Sequence, residues 1–251
     1  MNTGWKTWDQ DKDYGKVLYR RAIGELPEME SSKAAAKILN KLIRQNNYVL
    51  DIGCGAGHYL VSYKNAIKKP FFYTGLDATK SYISLAKKAF KNVTNAKFVV
   101  GDAYSIKYPS KKFDIVVSNN LLHHLPSIKK PLEEICRVAK KYVVIRMLVG
   151  NRSFIIQEVA IKGNEFNSDG LPKRYNYFNI YSQNYLEFLL KNNKRIKSYK
   201  LIKDTNFKAK NISQSISDHD NAYDITTMLG KWQVNGYILQ PWTFLIICLH
   251  E

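Results

Sequence analysis

The chain is poor in cysteine and has no two cysteines close together. Its three, Cys54, Cys136 and Cys248, form no C-x-x-C pair, which argues against a zinc ribbon, a dithiol centre or a disulfide framework. That usage suits a reducing compartment, the cytoplasm. Long apolar runs are also lacking. No stretch approaches the roughly 18 residues that a spanning helix needs, and Met1–Lys16 has no apolar core of a secretory leader. Arginine is scarce: eight of the 39 basic residues are Arg, against 21 acids and a net charge of +18. Arginine is the side chain best suited to bidentate phosphate recognition. A lysine-rich solvated surface, with codon bias behind the many Lys, Asn, Ile and Tyr residues, is therefore the simpler reading, and an anionic partner the alternative. No internal repeat or low-complexity linker breaks the 251 residues, and 45% hydrophobic content is enough for one well-sized core.

What is present is concentrated in Val49-Leu-Asp-Ile-Gly-Cys-Gly-Ala-Gly57. An apolar strand, Tyr48–Leu50, ends on the carboxylate of Asp51. A turn with Gly53, Gly55 and Gly57 then leads into a helix starting near His58. Glycine allows positive φ and close approach of a ligand, and the helix beyond offers unpaired N–H groups. Such a cradle belongs at the carboxyl end of the first strand of an α/β sheet. The dinucleotide fingerprint G-x-G-x-x-G fails here, because the third glycine would fall on His58 or Leu60, and no G-x-x-x-x-G-K-[ST] loop occurs anywhere. A carboxylate two residues before the glycines would repel a diphosphate and attract a cation.

Three further strand ends follow in order. Phe71–Asp77 is apolar and ends in an acid 20 residues after Gly57; after a helical stretch over Ser81–Phe90, Ala96–Val100 leads into Gly101-Asp102-Ala103; and Phe113-Asp-Ile-Val-Val-Ser-Asn-Asn-Leu-Leu-His-His-Leu125 is a fourth strand with its turn. A helix over Ile128–Lys140 and a fifth strand over Tyr142–Met147 continue the alternation. Across residues 45–150 this pattern resembles the class I S-adenosylmethionine-dependent methyltransferases, in particular their small-molecule branch with V-L-D-x-G-C-G-x-G. The resemblance implies a Rossmann-like α/β fold with a seven-stranded, mostly parallel sheet whose last strand is antiparallel. It implies S-adenosylmethionine as cofactor, with Asp77 on the ribose hydroxyls and Asp102 on the adenine amino group. Cofactor contacts are expected from Asp51, Gly53, Cys54, Gly55, Gly57, Asp77, Ala78, Asp102, Ala103 and Asn119, and no metal.

The rest of the chain reads as one domain arranged around residues 46–150: an N-terminal helical lid over residues 1–45 and substrate-covering insertions with final strands over 151–251. Residues 31–43 are helical by alanine content, with Ser31 or Ser32 as N-cap. Trp5, Trp8, Tyr14 and Tyr19 belong either to the lid or to plain packing on the sheet. Residues 148–180 look irregular, Tyr181–Leu190 forms an amphipathic helix capped by Ser182, and Arg195–Ile202 and Thr243–Leu249 are strands. Between the last two, Asn206–Gln233 is too polar for core and carries Asp218, His219, Asp220 and Asp224; His219 would reach the pocket if this stretch folds over it.

Methyl transfer from a sulfonium needs the nucleophile held about 3 Å from the methyl carbon and its proton removed where required. The turn after the fourth strand, with Asn119, Asn120, His123 and His124, faces that methyl in the family. Ser118-Asn-Asn-Leu stands where enzymes acting on planar amino groups carry N-P-P-[YF], which argues against base or glutamine-amide methylation. His123 and His124 are the catalytic candidates, His123 as general base and His124 in a more structural role, bonding a loop carbonyl. The expected acceptor is a sugar, natural product or phosphorylated metabolite methylated on oxygen. RNA, supported by charge alone, and a non-catalytic cofactor-binding subunit are the alternatives.

Overall fold

The computed structural model describes residues 12–159 and 165–205, the strand residues 226–229, 232–235 and 238–240, and residues 242–250. The central strands are near-continuous apolar runs because helices cover both faces of a parallel sheet. Strands β1 (Asn47–Ile52), β2 (Phe71–Asp77), β3 (Ala96–Val100), β4 (Phe113–Asn119) and β5 (Ala139–Gly150) all run parallel. A two-residue strand, β8 (Tyr181–Ser182), pairs with the far end of β5. The order β3-β2-β1-β4-β5-β13-β9 is completed by β9 (Ile196–Lys203) and β13 (Trp242–Leu249). The last strand inserts between β5 and β9 and is antiparallel to both, as expected for the seven main strands. Two short sheets are additions that alternation in the sequence cannot reveal: the hairpin β6 (Gln157–Glu158) with β7 (Asn176–Tyr177), and β10 (Thr226–Leu229), β11 (Trp232–Asn235) and β12 (Ile238–Gln240). Trp5, Trp8 and His219 lie outside the described residues.

Helices α2 (Glu30–Leu42), α3 (His58–Ala66) and α4 (Lys80–Ala89) pack on one face through Leu39, Tyr63, Ile83 and Ala86. Helices α5 (Lys129–Val138) and α6 (Gln183–Lys191) cover the other through Leu132, Ile135, Leu186 and Leu189. Ser182 caps α6 by accepting the Tyr185 N–H, as its sequence suggests. The start of α2 differs from expectation. Met29 precedes it, and Ser31 and Ser32 are buried within the first turn. Their hydroxyls are used between helices, Ser31 accepting from Tyr59 at 2.9 Å and Ser32 bonding Ser62 at 2.7 Å. Helix–helix contact takes the oxygen that a cap would need.

β1 pairs with β2 on one side and β4 on the other, so the chain reverses direction of travel across the sheet at that point. In open α/β sheets the crevice at such a switch, beyond the carboxyl ends of the strands, is where ligands bind. The remaining helix, α1 (Lys12–Ala22), lies beside α4 and α3 at the same end. Gly57 sets the entry into α3: it has φ +82°, and a Cβ there would lie 2.8 Å from Phe90 and 2.9 Å from Phe98. We expect Gly57→Ala to destabilise the fold by about 2–4 kcal/mol, combining left-handed strain with overpacking. Urea unfolding measures it; an unchanged midpoint would mean the two rings yield freely.

Candidate active site

At the switch point a cleft of about 320 Å³ opens between the strand ends and helices α1, α3 and α4. Asp51 is the fifth residue of β1, flanked by Gly75 of β2 and Val117 of β4, and is 2% exposed. Its Oδ2 accepts the Tyr73 hydroxyl at 2.8 Å. Burial pushes its carboxyl from 3.8 up to about 7; the Tyr73 bond opposes this and nearby Asp77 adds to it. Asp77 ends β2 with both oxygens engaged, Oδ2 by the Gly55 N–H and Oδ1 by the Thr79 N–H, each at 2.8 Å. This ties the glycine turn to the second strand. Asp102, just past β3, accepts the Tyr104 N–H at 2.8 Å.

Asp51, Gly53, Cys54, Gly55, Asp77, Ala78, Asp102, Ala103 and Asn119 all line the cleft; Gly57 lies outside the lining, against Phe90 and Phe98. At Gly53 a Cβ would meet Leu121 at 2.9 Å and φ is +75°. The Cys54 thiol is driven well above its usual range by burial, so it stays protonated and is no nucleophile. Asn119, at the end of β4, donates to the Tyr63 hydroxyl at 2.9 Å, while its buried Oδ1 has no partner.

The two histidines part company. They sit in a 3₁₀ turn, Leu122–His124. His123 is 1% exposed, outside the cleft lining, with Phe178 and Trp242 edge-on at 5.4 and 5.0 Å. Burial first, then His124 and Arg146, hold it well below its usual range. His124 lines the cleft. Its Nδ1 lies 2.8 Å from the Tyr177 carbonyl oxygen. A carbonyl only accepts, so Nδ1 carries the proton and Nε2 the lone pair. Burial lowers its titration from 6.5 to about 4, the Tyr177 bond partly opposing, and the ring is neutral at physiological pH.

Sequence reasoning missed a buried network beneath this turn. Arg146, on β5 and 2% exposed, donates through Nε to Asp204 Oδ2 at 2.7 Å and through Nη1 to Asn120 Oδ1 at 2.6 Å. Its guanidinium lies 3.9 Å from the centre of the Trp242 ring. Asn120 takes φ +58° and passes the network on to the Tyr59 hydroxyl at 3.2 Å. Both Asn120 and Tyr59 face the cleft. A visible signal existed: an arginine within the apolar run Val143–Leu148 demands a buried partner.

Three acids and no Lys or Arg are found among the described lining residues. A buried carboxylate beside an orphaned amide oxygen suits a ligand with cationic groups, and the ammonium and sulfonium of S-adenosylmethionine fit that demand. Among the described residues no three His, Cys, Asp or Glu side chains gather as a metal site.

Comparison with known proteins agrees with the geometry. A family model described as a methyltransferase domain matches residues 43–165. These residues are a class I S-adenosylmethionine-dependent methyltransferase domain, and S-adenosylmethionine is its cofactor. The chain is similar to the uncharacterized methyltransferase YcgJ of Bacillus subtilis, 34% identical over 100 residues that make up 39% of this chain and 38% of YcgJ. It is 35% identical over 92 residues to a fatty-acid O-methyltransferase of Mycolicibacterium smegmatis, covering 37% of this chain and 33% of that one. The chain thus spans well under half the length of these two curated relatives. The fold extends further. The crystal structure of YcgJ superposes with a TM-score of 0.56 at 16% identity, over 89% of this chain and 100% of that one. A putative methyltransferase of Haloferax volcanii, solved in complex with the Trm112 methyltransferase activator, superposes at 0.61 and 15% identity over 98% of each chain.

Proposed function

We propose that the protein transfers the methyl group of S-adenosylmethionine to an oxygen of a small, uncharged acceptor. The observation that carries this is the division of the cleft. Its charged lining consists of acids expected to hold the cofactor, and the other lining residues, Tyr14, Leu18, Met29, Tyr59, Leu125 and the neutral His124 among them, add no cation. A phosphorylated metabolite or RNA would want cations there, and none is among the described lining residues. Oxygen methylation is also the chemistry named for the Mycolicibacterium relative. No described helix is long and apolar enough to cross a membrane, and we read the protein as cytoplasmic.

When bound, S-adenosylmethionine supplies an electrophilic methyl and a neutral leaving group. The chain supplies position and proton removal. Asp51 and the Asn119 oxygen hold the cationic end, Asp77 and Asp102 the ribose and adenine. Helix α1 and the residue before α2 wall the cleft through Tyr14, Leu18 and Met29. His124, its tautomer fixed by Tyr177, takes the acceptor proton on Nε2. Its low basicity serves because a hydroxyl becomes strongly acidic as the methyl arrives, so transfer is late and concerted.

The test is a mass screen for methylated products across uncharged hydroxylated, phosphorylated and RNA acceptors, followed by variants. His124→Ala is expected to lower turnover about a hundredfold with S-adenosylhomocysteine affinity nearly unchanged. His123→Ala is expected to lower thermal stability, its ring being packed away from the cleft. Full turnover in His124→Ala would remove the base assignment. Cofactor binding with no product from any acceptor would favour a non-catalytic cofactor-binding subunit.

A further inference from the structure

Six of the 39 basic residues line one edge of the sheet. With β1 to β5 parallel, β13 antiparallel and β9 antiparallel to β13, one edge of the sheet gathers the amino ends of six strands and the carboxyl end of β13. The His250 N–H bonded to the Arg195 carbonyl at 3.0 Å closes that edge. It is the edge away from the cofactor cleft, and cations mark it strand by strand. Lys69 precedes β2, Arg44 precedes β1, Lys111 precedes β4, Lys140 and Lys141 open β5, and Arg195 precedes β9. All are exposed except the half-buried Lys141. Strand spacing of about 4.8 Å makes the row from β2 to β9 about 24 Å long.

Two features turn this row from a solvated rim into a surface with shape. Arg44, Lys111, Lys140 and Lys141 converge on a concavity of about 380 Å³ whose one acid, Asp114, already accepts the Tyr48 N–H at 2.8 Å. Beside it, Tyr48 and Phe72 are 46% and 43% exposed and stack with ring centres 5.0 Å apart. Lys112 lies 5.6 Å over the Tyr48 ring, and Lys141 at the same distance over Tyr142. Cations that track a backbone, interleaved with exposed rings on which bases stack, are what a single strand of nucleic acid requires. The length of the row favours a polymer over a small anion.

We propose that this edge docks single-stranded nucleic acid, which the protein carries on the side opposite its methyl-transfer cleft. The bound strand is then not the acceptor, and the basic charge does not bear on acceptor choice. Fluorescence anisotropy with labelled oligouridine of about 20 nucleotides, long enough to span a stacking groove, tests this across a salt series. The wild type is expected to bind with a steep slope of log affinity against log salt. Lys111→Ala/Lys140→Ala/Lys141→Ala should reduce that slope by about 2, at roughly 0.7 per lost phosphate contact. Tyr48→Ala should weaken binding about tenfold and leave the slope alone. Calorimetric binding of S-adenosylhomocysteine should be intact in both variants, which certifies their fold. Three results would each overturn the proposal: wild-type affinity and slope in the triple variant, displacement of the oligonucleotide by saturating S-adenosylhomocysteine, or binding to phosphatidylserine vesicles without binding to oligouridine.

Discussion

Asp51→Asn is expected to abolish useful affinity for S-adenosylmethionine, a loss of about a hundredfold or more. The substitution keeps size and an acceptor for the Tyr73 hydroxyl but removes the buried charge. Removing one partner of a buried, hydrogen-bonded charge pair costs about 2–5 kcal/mol, and here the partner is a cation, with Asp51 the buried acid of β1 and β4. The effect has a pH signature. Burial holds the Asp51 carboxyl at about 7 in the free protein, so near neutrality a large part of the population is uncharged. A cation binds the ionised form, and binding releases the proton. Wild-type affinity therefore weakens as pH falls through about 7, approaching tenfold per pH unit below it, while the Asn variant stays flat. For stability without ligand the sign is the reverse. An unfolded Asp ionises near 3.8 and the folded one only near 7, so the unfolded state sheds its proton first and stability drops as pH rises across that window. The Asn variant should lose less stability over the same range. Calorimetry from pH 6 to about pH 8 separates these readings. A pH-independent wild type with an equally tight Asn variant would mean that Asp51 does not carry the charge recognition.

What the sequence disclosed and withheld follows from the range of each interaction. Asp51, the glycine turn, Asp77 and Asp102 are legible because each is a strand end followed by a turn, a pattern confined to about ten residues. The cleft that gathers them follows from parallel pairing, which apolar runs alternating with helices imply. The two histidines were not separable in that way: the sequence put the base on His123 and a loop-carbonyl bond on His124, and although that bond is present, it is His124 that lines the cleft and His123 that is packed away. Which one faces the cleft depends on the 3₁₀ turn at Leu122–His124 and on β7 and the residues after it, where the Tyr177 carbonyl accepts the His124 Nδ1–H bond and the Asn179 N–H donates to the His123 carbonyl at 2.8 Å. Those partners lie more than 50 residues away in a stretch without periodicity. The serines of α2 fail as caps for the same kind of reason: their partners, Tyr59 and Ser62, belong to another helix.

Another long-range interaction carries the second large effect, Asp204→Ala. Arg146 and Asp204 have side chains 2% and 1% exposed and stand 58 residues apart. Removing the carboxylate strands a guanidinium between Trp242 and Asn120, and breaking a buried pair this way costs about 3–5 kcal/mol. For a chain of this size that corresponds to a fall in melting temperature of about 10 °C. The pair itself is a poor stabiliser, since desolvating both ions consumes most of their attraction. Replacing both by apolar residues, Arg146→Met/Asp204→Leu, should therefore recover most of the lost stability. It should not recover the cleft. Asn120 holds φ +58° with its amide oxygen on Arg146 and its nitrogen on Tyr59. Without the guanidinium that amide is free to turn, and the wall it shares with Tyr59 loses its fixed pattern of donors and acceptors. The expected outcome is a stable double variant that binds S-adenosylhomocysteine but turns over poorly. Thermal melts of the two variants beside the wild type decide the energetic half. A double variant as unstable as Asp204→Ala would show that the charges, rather than the space they fill, hold β5, β9 and β13 together. A double variant with full turnover would show that Asn120 needs no guanidinium to stay in place.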